Sequence, residues 1–371
     1  MAKQMEKSSN FPKYRADGQS TFKEKNDDKF IVKYRKNFYD IKKFIVKHPG
    51  GVNTLKGLNN SDMTSRFIKA HPHSDAAMYL MKEYHITKPT QLLTTTTCKS
   101  NDYNIKDAQY EKLIVSSMED SNNNIIDENV EHLVDWSRAM LPQIGKICKQ
   151  YEQWVHKPVD RSLRLFGPWY LEMCTKTAWW VVPIFWLPVI GALIYNEMWD
   201  VLFGGNVLKI LSLLFYFLLG IIFWTFLEYV LHRYLFHMSI NKRSHPLLCS
   251  FHFMIHGLHH KVPFDSMRLV FPPLPGAILA IIIYAPLSMI VPQPRVILAG
   301  ALFGYLCYDM MHYYLHYGDP SNRLLYHMKR YHYQHHFAHQ NLGFGISTPL
   351  WDTIFNTRIH LRKLRFRLKW K

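Results

Sequence analysis

The first 27 residues of this 371-residue chain contain no apolar segment, and cysteine is scarce. Without an apolar core a cleaved signal peptide is excluded, so we expect the N-terminus to stay in the cytosol. Residues 1–27 are charged and polar, and we predict that they are disordered. The five cysteines show no paired spacing. We therefore expect no disulfide in a reducing cytosol, and a thiolate metal site has no support.

Charge is missing from long stretches in the middle of the chain. About 20 predominantly apolar residues are enough for a helix to cross a bilayer. We therefore predict an all-α integral membrane domain with four transmembrane helices, paired as two hairpins. The last of them carries Asp309, which we expect to face inward. The predicted spans lie near residues 177–196, 208–228, 272–290 and 295–311.

Acidic residues are also few, with 28 Asp and Glu against 45 Lys and Arg, which gives a formal net charge of +17. In a soluble protein this excess would suggest a nucleic-acid partner. Here the basic residues lie mainly in segments that flank the predicted spans, whereas Glu197 and Asp200 lie between the first two. That distribution follows the positive-inside rule with both termini in the cytosol. We expect contact with membrane lipid headgroups and no nucleic acid.

Histidine, in contrast, is abundant and regularly spaced. Ten of the 21 histidines form four spaced groups in the C-terminal half. Imidazole is the commonest metal ligand, and ten exceed what one ion can hold. Because the second and fourth predicted spans both end on the cytosolic side, all four groups can converge there as a histidine-rich helical cap. The groups are His232 and His237; His256, His259 and His260; His312 and His316; and His332, His335 and His336.

The spacing within these groups fits helix faces. Positions i, i+3 and i+4 lie on one face of an α-helix, so each H-x2-H-H group projects its imidazoles together. Adjacent histidines differ by about 100° around the axis, so each pair can serve two neighbouring ions. His232 and His237 are about 140° apart on an ideal helix and need a bend or a helix end to act together. The sequence therefore predicts a site for two metal ions.

A second pattern lies near the N-terminus. Two short strands around 30–34 and 38–41 flank a turn and precede the motif H-P-G-G at 48–51, and His73 follows in HPHSDA at 71–76. This arrangement resembles the cytochrome b5 family over about residues 28–90. The resemblance implies a small α+β domain that binds haem b, with His48 and His73 as axial ligands. His71 is the alternative to His73. Two histidine ligands leave no site for oxygen on the haem and favour electron transfer.

Residues 91–130 are rich in Ser, Thr and Asn, and we predict a flexible linker. About 40 residues of coil span roughly 35 Å, enough for the haem domain to swing onto the cytosolic face of a membrane domain formed by residues 131–371. Tethering at that distance raises the local concentration of the haem domain to roughly the millimolar range.

The membrane domain also carries recognisable segments. They are VDWSR (134–138), WVHKPVDR (154–161), LFG (165–167), FAHQ (337–340) and GFGIST (343–348). Together with the histidine groups and the fused haem domain, they resemble the fatty acid 2-hydroxylases of the membrane fatty acid hydroxylase/sterol desaturase superfamily. The resemblance implies dioxygen-dependent hydroxylation at C2 of a fatty acid or of the N-acyl chain of ceramide, in sphingolipid synthesis. It also implies an NAD(P)H-dependent reductase as electron donor and an endoplasmic reticulum location.

Several points stay open on the sequence alone. The ten histidines suit iron, which oxygen chemistry leads us to expect, but they also suit zinc. Glu228 and Asp309 each lie one turn before a candidate ligand, and we predict that they fix imidazole tautomers. His252 is a candidate eleventh ligand. A sterol or fatty acid desaturase would use the same metals. A transporter is disfavoured because the histidines lie outside the spans, and a mere electron carrier would leave them unused.

Overall fold

The computed structural model describes residues 29–70, 73–87, 130–204, 207–320 and 322–361. The predicted disordered segment 1–27, almost all of the predicted linker 91–130 and the alternative haem ligand His71 lie outside these ranges.

The N-terminal part is built on a four-stranded sheet of order β3-β1-β2-β4. β1 and β2 form the predicted hairpin, which is antiparallel and pairs Ile31 with Asp40. Its turn places Arg35 at φ 54°, a left-handed conformation. β3 joins β1 in parallel and β4 joins β2 antiparallel. The strands are β1 (Ile31–Tyr34), β2 (Asn37–Asp40), β3 (Ser61–Asp62) and β4 (His85–Ile86).

Two α-helices, α1 (Thr64–Ala70) and α2 (Asp75–Met81), and three short 3-10 helices complete this part. The Ser74 hydroxyl accepts a hydrogen bond from the amide of Ala77 and caps α2, so the helix begins directly after His73. The predicted small α+β domain is therefore present within residues 29–87 of the described chain.

In the C-terminal part the described residues form helices joined by irregular segments, and long helices alternate with short ones. Two short π-helices interrupt it, π1 (Leu231–Phe236) and π2 (Phe253–Gly257). The α-helices are α3 (Leu141–Ile144), α4 (Tyr151–Val155), α5 (Trp169–Met173), α6 (Val181–Gly204), α7 (Val207–Val230), α8 (Pro246–His252), α9 (Leu258–Lys261), α10 (Pro273–Ile290), α11 (Pro294–Tyr317), α12 (Arg323–Phe337) and α13 (Leu350–Ile354).

The prediction of four spans is met in part. Within the described residues, two helical segments are long and apolar enough to cross a membrane: Val207–Phe236, with a mean hydropathy of 2.4, and Ser266–Ile290, with 1.9. The apolar portion of α6, Val181–Tyr195, is shorter. α11, which carries Asp309 and two histidines, is not among them, and much of its length packs inside the protein.

α7 and α11 pack backbone to backbone, and glycine allows it. A Cβ at Gly220 would collide with the carbonyl oxygen of Ile297, and a Cβ at Gly300 with that of Phe217. Small residues at a helix crossing are the usual way to bring apolar helices close in a membrane. This contact fixes α11, and with it two of the histidines, against the helix that leads into π1.

One prediction about cysteine is wrong. Cys148 and Cys249 are joined by a disulfide, with their Cα atoms 5.9 Å apart. The two residues are 101 positions apart in sequence, so no local spacing could reveal the pair. Both are buried in the apolar core formed by α3, α4 and π2. Burial keeps soluble thiols away from the bond.

Candidate metal centre and haem pocket

A π-helix solves the spacing problem of the first histidine pair. In π1 the amide of His237 donates to the carbonyl of His232 at 3.0 Å, a bond across five residues. Residues five apart therefore lie one above the other, and the rings of His232 and His237 are 5.0 Å apart. The required distortion of the helix is thus a π-turn, a feature that occurs often at functional sites. A second π-helix, π2, contains His256 and ends directly before the short helix that carries His259 and His260.

All four histidine groups meet in one place. Nine of the ten imidazoles form two sets in which candidate ligand nitrogens lie within 4.8 Å of one another. Nearly all of these side chains are buried. We call the sets cluster A, formed by His259, His312, His316, His332 and His336, and cluster B, formed by His232, His237, His256 and His335.

The tenth histidine, His260, lies between the clusters. Its ring is 4.3 Å from that of His336 in cluster A and 4.7 Å from that of His256 in cluster B. The predicted role of adjacent histidines in serving two neighbouring ions fits this placement. His252 is in neither cluster, because its Nδ1 lies 2.6 Å from the hydroxyl of Tyr151.

The Nε2 atoms converge at the spacing of ligands around one ion. The Nε2 of His256 lies 3.2, 3.1 and 3.0 Å from those of His232, His237 and His260. In cluster A, the Nε2 of His332 lies 2.8 Å from that of His316. Nitrogens bound about 2.1 Å from a metal at right angles are about 3.0 Å apart. A neutral ring has only one proton to share, so hydrogen bonds among imidazoles cannot satisfy all these contacts. The donor set therefore fits metal ions.

Backbone carbonyls set the tautomers. The Nδ1 atoms of His232, His312 and His335 lie 2.6, 2.9 and 2.8 Å from the carbonyl oxygens of Phe344, Leu269 and Leu342. A carbonyl can only accept, so in each ring Nδ1 carries the proton and Nε2 presents its lone pair to the cluster. The Nε2 of His335 is buried and has no hydrogen-bond partner within the described chain, as expected for a metal ligand.

Glu228 and Asp309 contact the backbone that orients the imidazoles, whereas the sequence predicted a contact with the imidazoles themselves. Glu228 accepts hydrogen bonds from the amides of Ile346 and Ser347, at 2.7 and 2.9 Å. Asp309 accepts from the amide of Phe271 at 3.2 Å. Each carboxylate thus holds an amide two residues after the carbonyl that orients a histidine. The two carboxylates therefore fix the backbone segments whose carbonyls accept from the imidazoles, and they do not contact the imidazoles directly.

Asp352 also fixes backbone that orients a histidine, and the sequence analysis did not identify it. It is fully buried and accepts from the amides of Phe344 and Gly345 at 2.9 Å each, and from the hydroxyls of Tyr331 and Thr357. Together with Glu228 it holds the loop 342–347, which supplies two of the three orienting carbonyls. Asp352 is distant in sequence from the ligands of cluster B, so no spacing signal could have identified it.

Replacing Asp352 with asparagine should weaken metal retention about 10- to 100-fold, the range for lost outer-shell support of metal ligands. The amide nitrogen of asparagine cannot accept, so a backbone amide of the loop loses its partner. The measurement is metal bound per protein during competition with a chelator. Thr353→Ala, on the outer side of the same helix, is the matched control. Equal retention in the Asp352→Asn and wild-type proteins would show that the loop needs no such anchor.

Burial keeps the imidazoles outside the membrane helices neutral. Desolvation, followed by repulsion from neighbouring imidazoles, lowers their pKa well below the ordinary histidine value. Neutral imidazole is the metal-binding form, so the clusters are ready to bind metal at physiological pH. The residues affected in this way are His237, His256, His259, His260, His332 and His336.

The N-terminal part contains the expected pocket. His48 and His73 both line a cavity of about 400 Å³, whose walls include Phe44, Leu55 and Met63. This volume is within the usual range for a ligand site. The His48 Nδ1 accepts a hydrogen bond from the amide of Gly50 at 3.1 Å and lies 3.1 Å from the hydroxyl of Thr54. A Cβ at Gly50 would lie 2.8 Å from Cε1 of His48, which explains the glycine of the motif.

The fold and the two sites define a membrane-associated oxidoreductase that carries its own haem domain. A fatty acid hydroxylase family model matches residues 217–357, and a cytochrome b5-like haem/steroid binding domain matches residues 19–89. The fatty acid 2-hydroxylase of Mus musculus is 37% identical over 340 residues, covering 87% of this chain and 89% of its own. The chain belongs to the fatty acid 2-hydroxylase family.

Two further similarities cover shorter regions. A dihydroceramide fatty acyl 2-hydroxylase of Arabidopsis thaliana is 37% identical over 230 residues, 61% of this chain and 93% of its own. The solved structure of full-length scs7p, with only the hydroxylase domain visible, is 36% identical with a TM-score of 0.55. It covers 61% of this chain and 86% of that one.

Proposed function

We propose that the chain hydroxylates C2 of a fatty acid or of the N-acyl chain of a ceramide, in sphingolipid synthesis. The observation that carries this proposal is the pair of histidine clusters beside an apolar cavity between membrane-capable helices. The names of the relatives in mouse and Arabidopsis support the position of hydroxylation and the two classes of substrate.

The clusters would hold two metal ions, one each, with His260 between them. When bound, redox-active metal ions supply the activation of dioxygen that an unactivated C–H bond requires. Zinc has no redox chemistry, so iron is the active metal in this proposal and zinc would leave the enzyme inactive. The protein itself orients the imidazoles through the carbonyls of loop 342–347 and of Leu269, and keeps water away by burying the clusters.

The acyl chain would lie in a cavity between α6, α7, α10 and α11. Its lining is almost entirely apolar and includes Trp186, Ala280 and Leu298. Phe236 and Tyr308 also line it. The ring of Phe236 stacks on His256 of cluster B at 5.1 Å, and that of Tyr308 on His312 of cluster A at 6.1 Å. An acyl chain in this cavity would therefore lie close to both clusters.

The cavity lining follows α11 from Leu298 to Tyr308. These residues are ten positions apart, which at the helical rise of 1.5 Å per residue corresponds to about 15 Å. The cavity volume is about 80 Å³, so a long acyl chain would enter only as the lining side chains move apart. An acyl chain that lay in the cavity with its carboxyl or amide end towards the clusters would be oxidised close to that group.

Filling this cavity should shorten the preferred substrate. In Ala280→Phe the added ring would occupy the middle of the cavity, so long acyl chains lose their place while short ones still reach the clusters. We expect the chain-length profile of the hydroxylated products to shift towards shorter chains, with metal content unchanged. The control is Ile281→Phe on the exposed side of α10, where the side chain is 69% accessible. An unaltered profile in Ala280→Phe would place the acyl chain elsewhere.

For the topology we propose four membrane crossings. Both termini and the metal site would then lie on the cytosolic side of the endoplasmic reticulum membrane. The support for this topology is that α6 and α11 are 24 residues each, about 36 Å long, against a hydrocarbon core of about 30 Å. α6, α7 and α10 also expose large apolar side chains, such as Ile184, Phe215 and Ile281, which lipid would cover.

Electrons would come from an NAD(P)H-dependent reductase through haem b held by His48 and His73 in domain 28–90. The linker 91–130 would join this domain to the hydroxylase domain 131–371. Each turnover consumes dioxygen, two electrons and two protons, and yields the hydroxylated lipid and water.

The proposal is tested by expressing the chain in cells that lack their own 2-hydroxylase and analysing their sphingolipids by mass spectrometry. We expect saturated N-acyl chains with a hydroxyl group at C2. New double bonds without hydroxylation would assign the chain to the desaturase chemistry that the same metals permit.

A further inference from the structure

The haem domain is docked on the hydroxylase domain by charged contacts. The Lys47 ammonium contacts both oxygens of Asp160, at 2.9 and 2.8 Å, and the hydroxyl of Tyr84 donates to the same carboxylate at 2.7 Å. Arg161 forms a two-bond pair with Glu83, at 2.7 Å each. The Lys47 and Asp160 side chains are only 13% and 17% exposed, so this pair is screened less than a surface ion pair. The two neighbouring pairs fix the orientation of the domain.

Apolar contacts continue this interface towards the clusters. Phe44 of the haem domain packs edge-on against Phe264, at 5.9 Å between ring centroids, and the Lys47 ammonium lies 5.0 Å above the same ring. Phe264 and Tyr333 belong to the buried core of the haem domain although they come from the C-terminal part. The two domains therefore share a core at this point.

Helix α12 separates the haem cavity from the metal centre. One of its faces carries His332, His335 and His336 of the clusters. The adjoining face lines the haem cavity with Tyr326, Arg330, Tyr333, Gln334 and Phe337. These five residues follow helical spacing, so they form one continuous stripe. With side chains, one α-helix is about 10 Å across, so residues of the same helix contact both sites.

Tyr333 makes a direct link across this helix. Its hydroxyl donates to the carbonyl of Lys47 at 2.8 Å and has the carbonyl of His316 as a second acceptor at 3.3 Å. Lys47 is bonded to His48, the candidate haem ligand, and His316 belongs to cluster A. Tyr333 is buried, and burial raises the pKa of its hydroxyl far above the ordinary value, so it keeps its proton and donates.

We propose that Tyr333 is the coupling residue through which electrons pass from the docked haem domain to the histidine clusters. In each transfer ferrous haem is oxidised to ferric haem, and one oxidised metal ion of the clusters is reduced by one electron. The reductase then reduces the haem again, and a second transfer completes the two electrons of one turnover. Tyr333 neither gains nor loses a proton; its hydroxyl connects two backbone segments. This inference rests on the proposed function.

The test is Tyr333→Phe in the full-length protein, which keeps the ring and removes only the hydroxyl. The haem is reduced, oxygen and substrate are added, and the oxidation of ferrous haem is followed by absorbance in a single turnover. His335→Ala protein gives the rate of direct oxidation by oxygen, which is subtracted. We expect the remaining rate to fall about tenfold, together with kcat, while KM and the haem spectrum stay unchanged. Tyr170→Phe, an exposed tyrosine outside the interface, is the matched control.

Two results would overturn the coupling role. One is an unchanged rate of haem oxidation in Tyr333→Phe. The other is loss of metal or haem from that variant, which would make Tyr333 a structural residue. Failure of the proposed function is distinguishable from both, because the wild-type protein would then form no 2-hydroxylated lipid. Asp160→Asn separates docking from coupling: it should slow haem oxidation more strongly as salt rises, whereas the effect of Tyr333→Phe should not depend on salt.

Discussion

Cells whose only 2-hydroxylase is the His335→Ala or the His259→Ala variant should contain no 2-hydroxylated sphingolipid above background. His335 belongs to cluster B and His259 to cluster A, so each substitution removes a candidate ligand of a different ion. We expect the loss to exceed about 100-fold, beyond the 10- to 100-fold typical of changes outside the ligand shell. The measurement combines sphingolipid mass spectrometry with metal content of the purified variants.

The two variants also test whether both ions are needed. Each should retain less metal than the wild-type protein, yet both should remain in the membrane fraction, because the apolar helices are untouched. His327→Ala is the matched control, since His327 lies on the same helix as His335 but is exposed. Normal product in both cluster variants would refute the assignment of the clusters as the catalytic centre.

The second large effect concerns haem. His48→Ala should abolish the b-type absorbance of the purified protein and with it the hydroxylation that depends on the fused domain. The cavity walls remain, but iron loses one of two axial ligands. Metal bound by the histidine clusters should be unchanged, because the substitution lies in the other domain. Absorbance is read in the oxidised and reduced states.

His85→Ala serves as the control for this variant, since His85 lies at the exposed end of β4 and its backbone pairing survives the change. The same loss of absorbance is expected for His73→Ala. If the spectrum of His48→Ala were that of the wild-type protein, the iron ligand would be another residue, and the description of the pocket would be wrong.

The ten candidate metal ligands could be grouped from the sequence because helix geometry is local. Residues three and four apart share a face whatever the rest of the fold does, so two H-x2-H-H groups and the pair His312 and His316 indicate metal ligands directly. The misfit of His232 and His237 was equally informative. A spacing of five does not fit an α-helix, and the chain adopts a π-turn at that position.

The support of the ligands could not be found in this way, because it depends on tertiary contacts. The carbonyl of Phe344 orients His232 across 112 residues, and the anchor of that carbonyl, Asp352, has no spacing relation to either. Backbone carbonyls leave no trace in a sequence. For the same reason the sequence could indicate Glu228 and Asp309 as supporting residues but not their contacts. They were predicted to bind the imidazoles, whereas they accept hydrogen bonds from backbone amides near the orienting carbonyls.

The relation between the domains was also beyond sequence patterns. Linker composition predicts only how far the haem domain can reach, and the segment itself lies outside the described residues. The ion pairs of Lys47 with Asp160 and of Glu83 with Arg161 join residues 113 and 78 positions apart. In the sequence, Tyr333 is not distinguished from the other aromatic residues near the histidines. Its contacts with both domains are evident only when the haem domain is docked on the hydroxylase domain.

The most direct test of the account is to supply the purified, iron-loaded protein with its reductase, a fatty acid or ceramide, and oxygen labelled with ¹⁸O. The account predicts a product that carries one ¹⁸O atom in a hydroxyl group at C2, formed by the wild-type protein and not by His335→Ala. An unlabelled hydroxyl, a double bond in place of the hydroxyl, or equal product from the His335→Ala protein would contradict it.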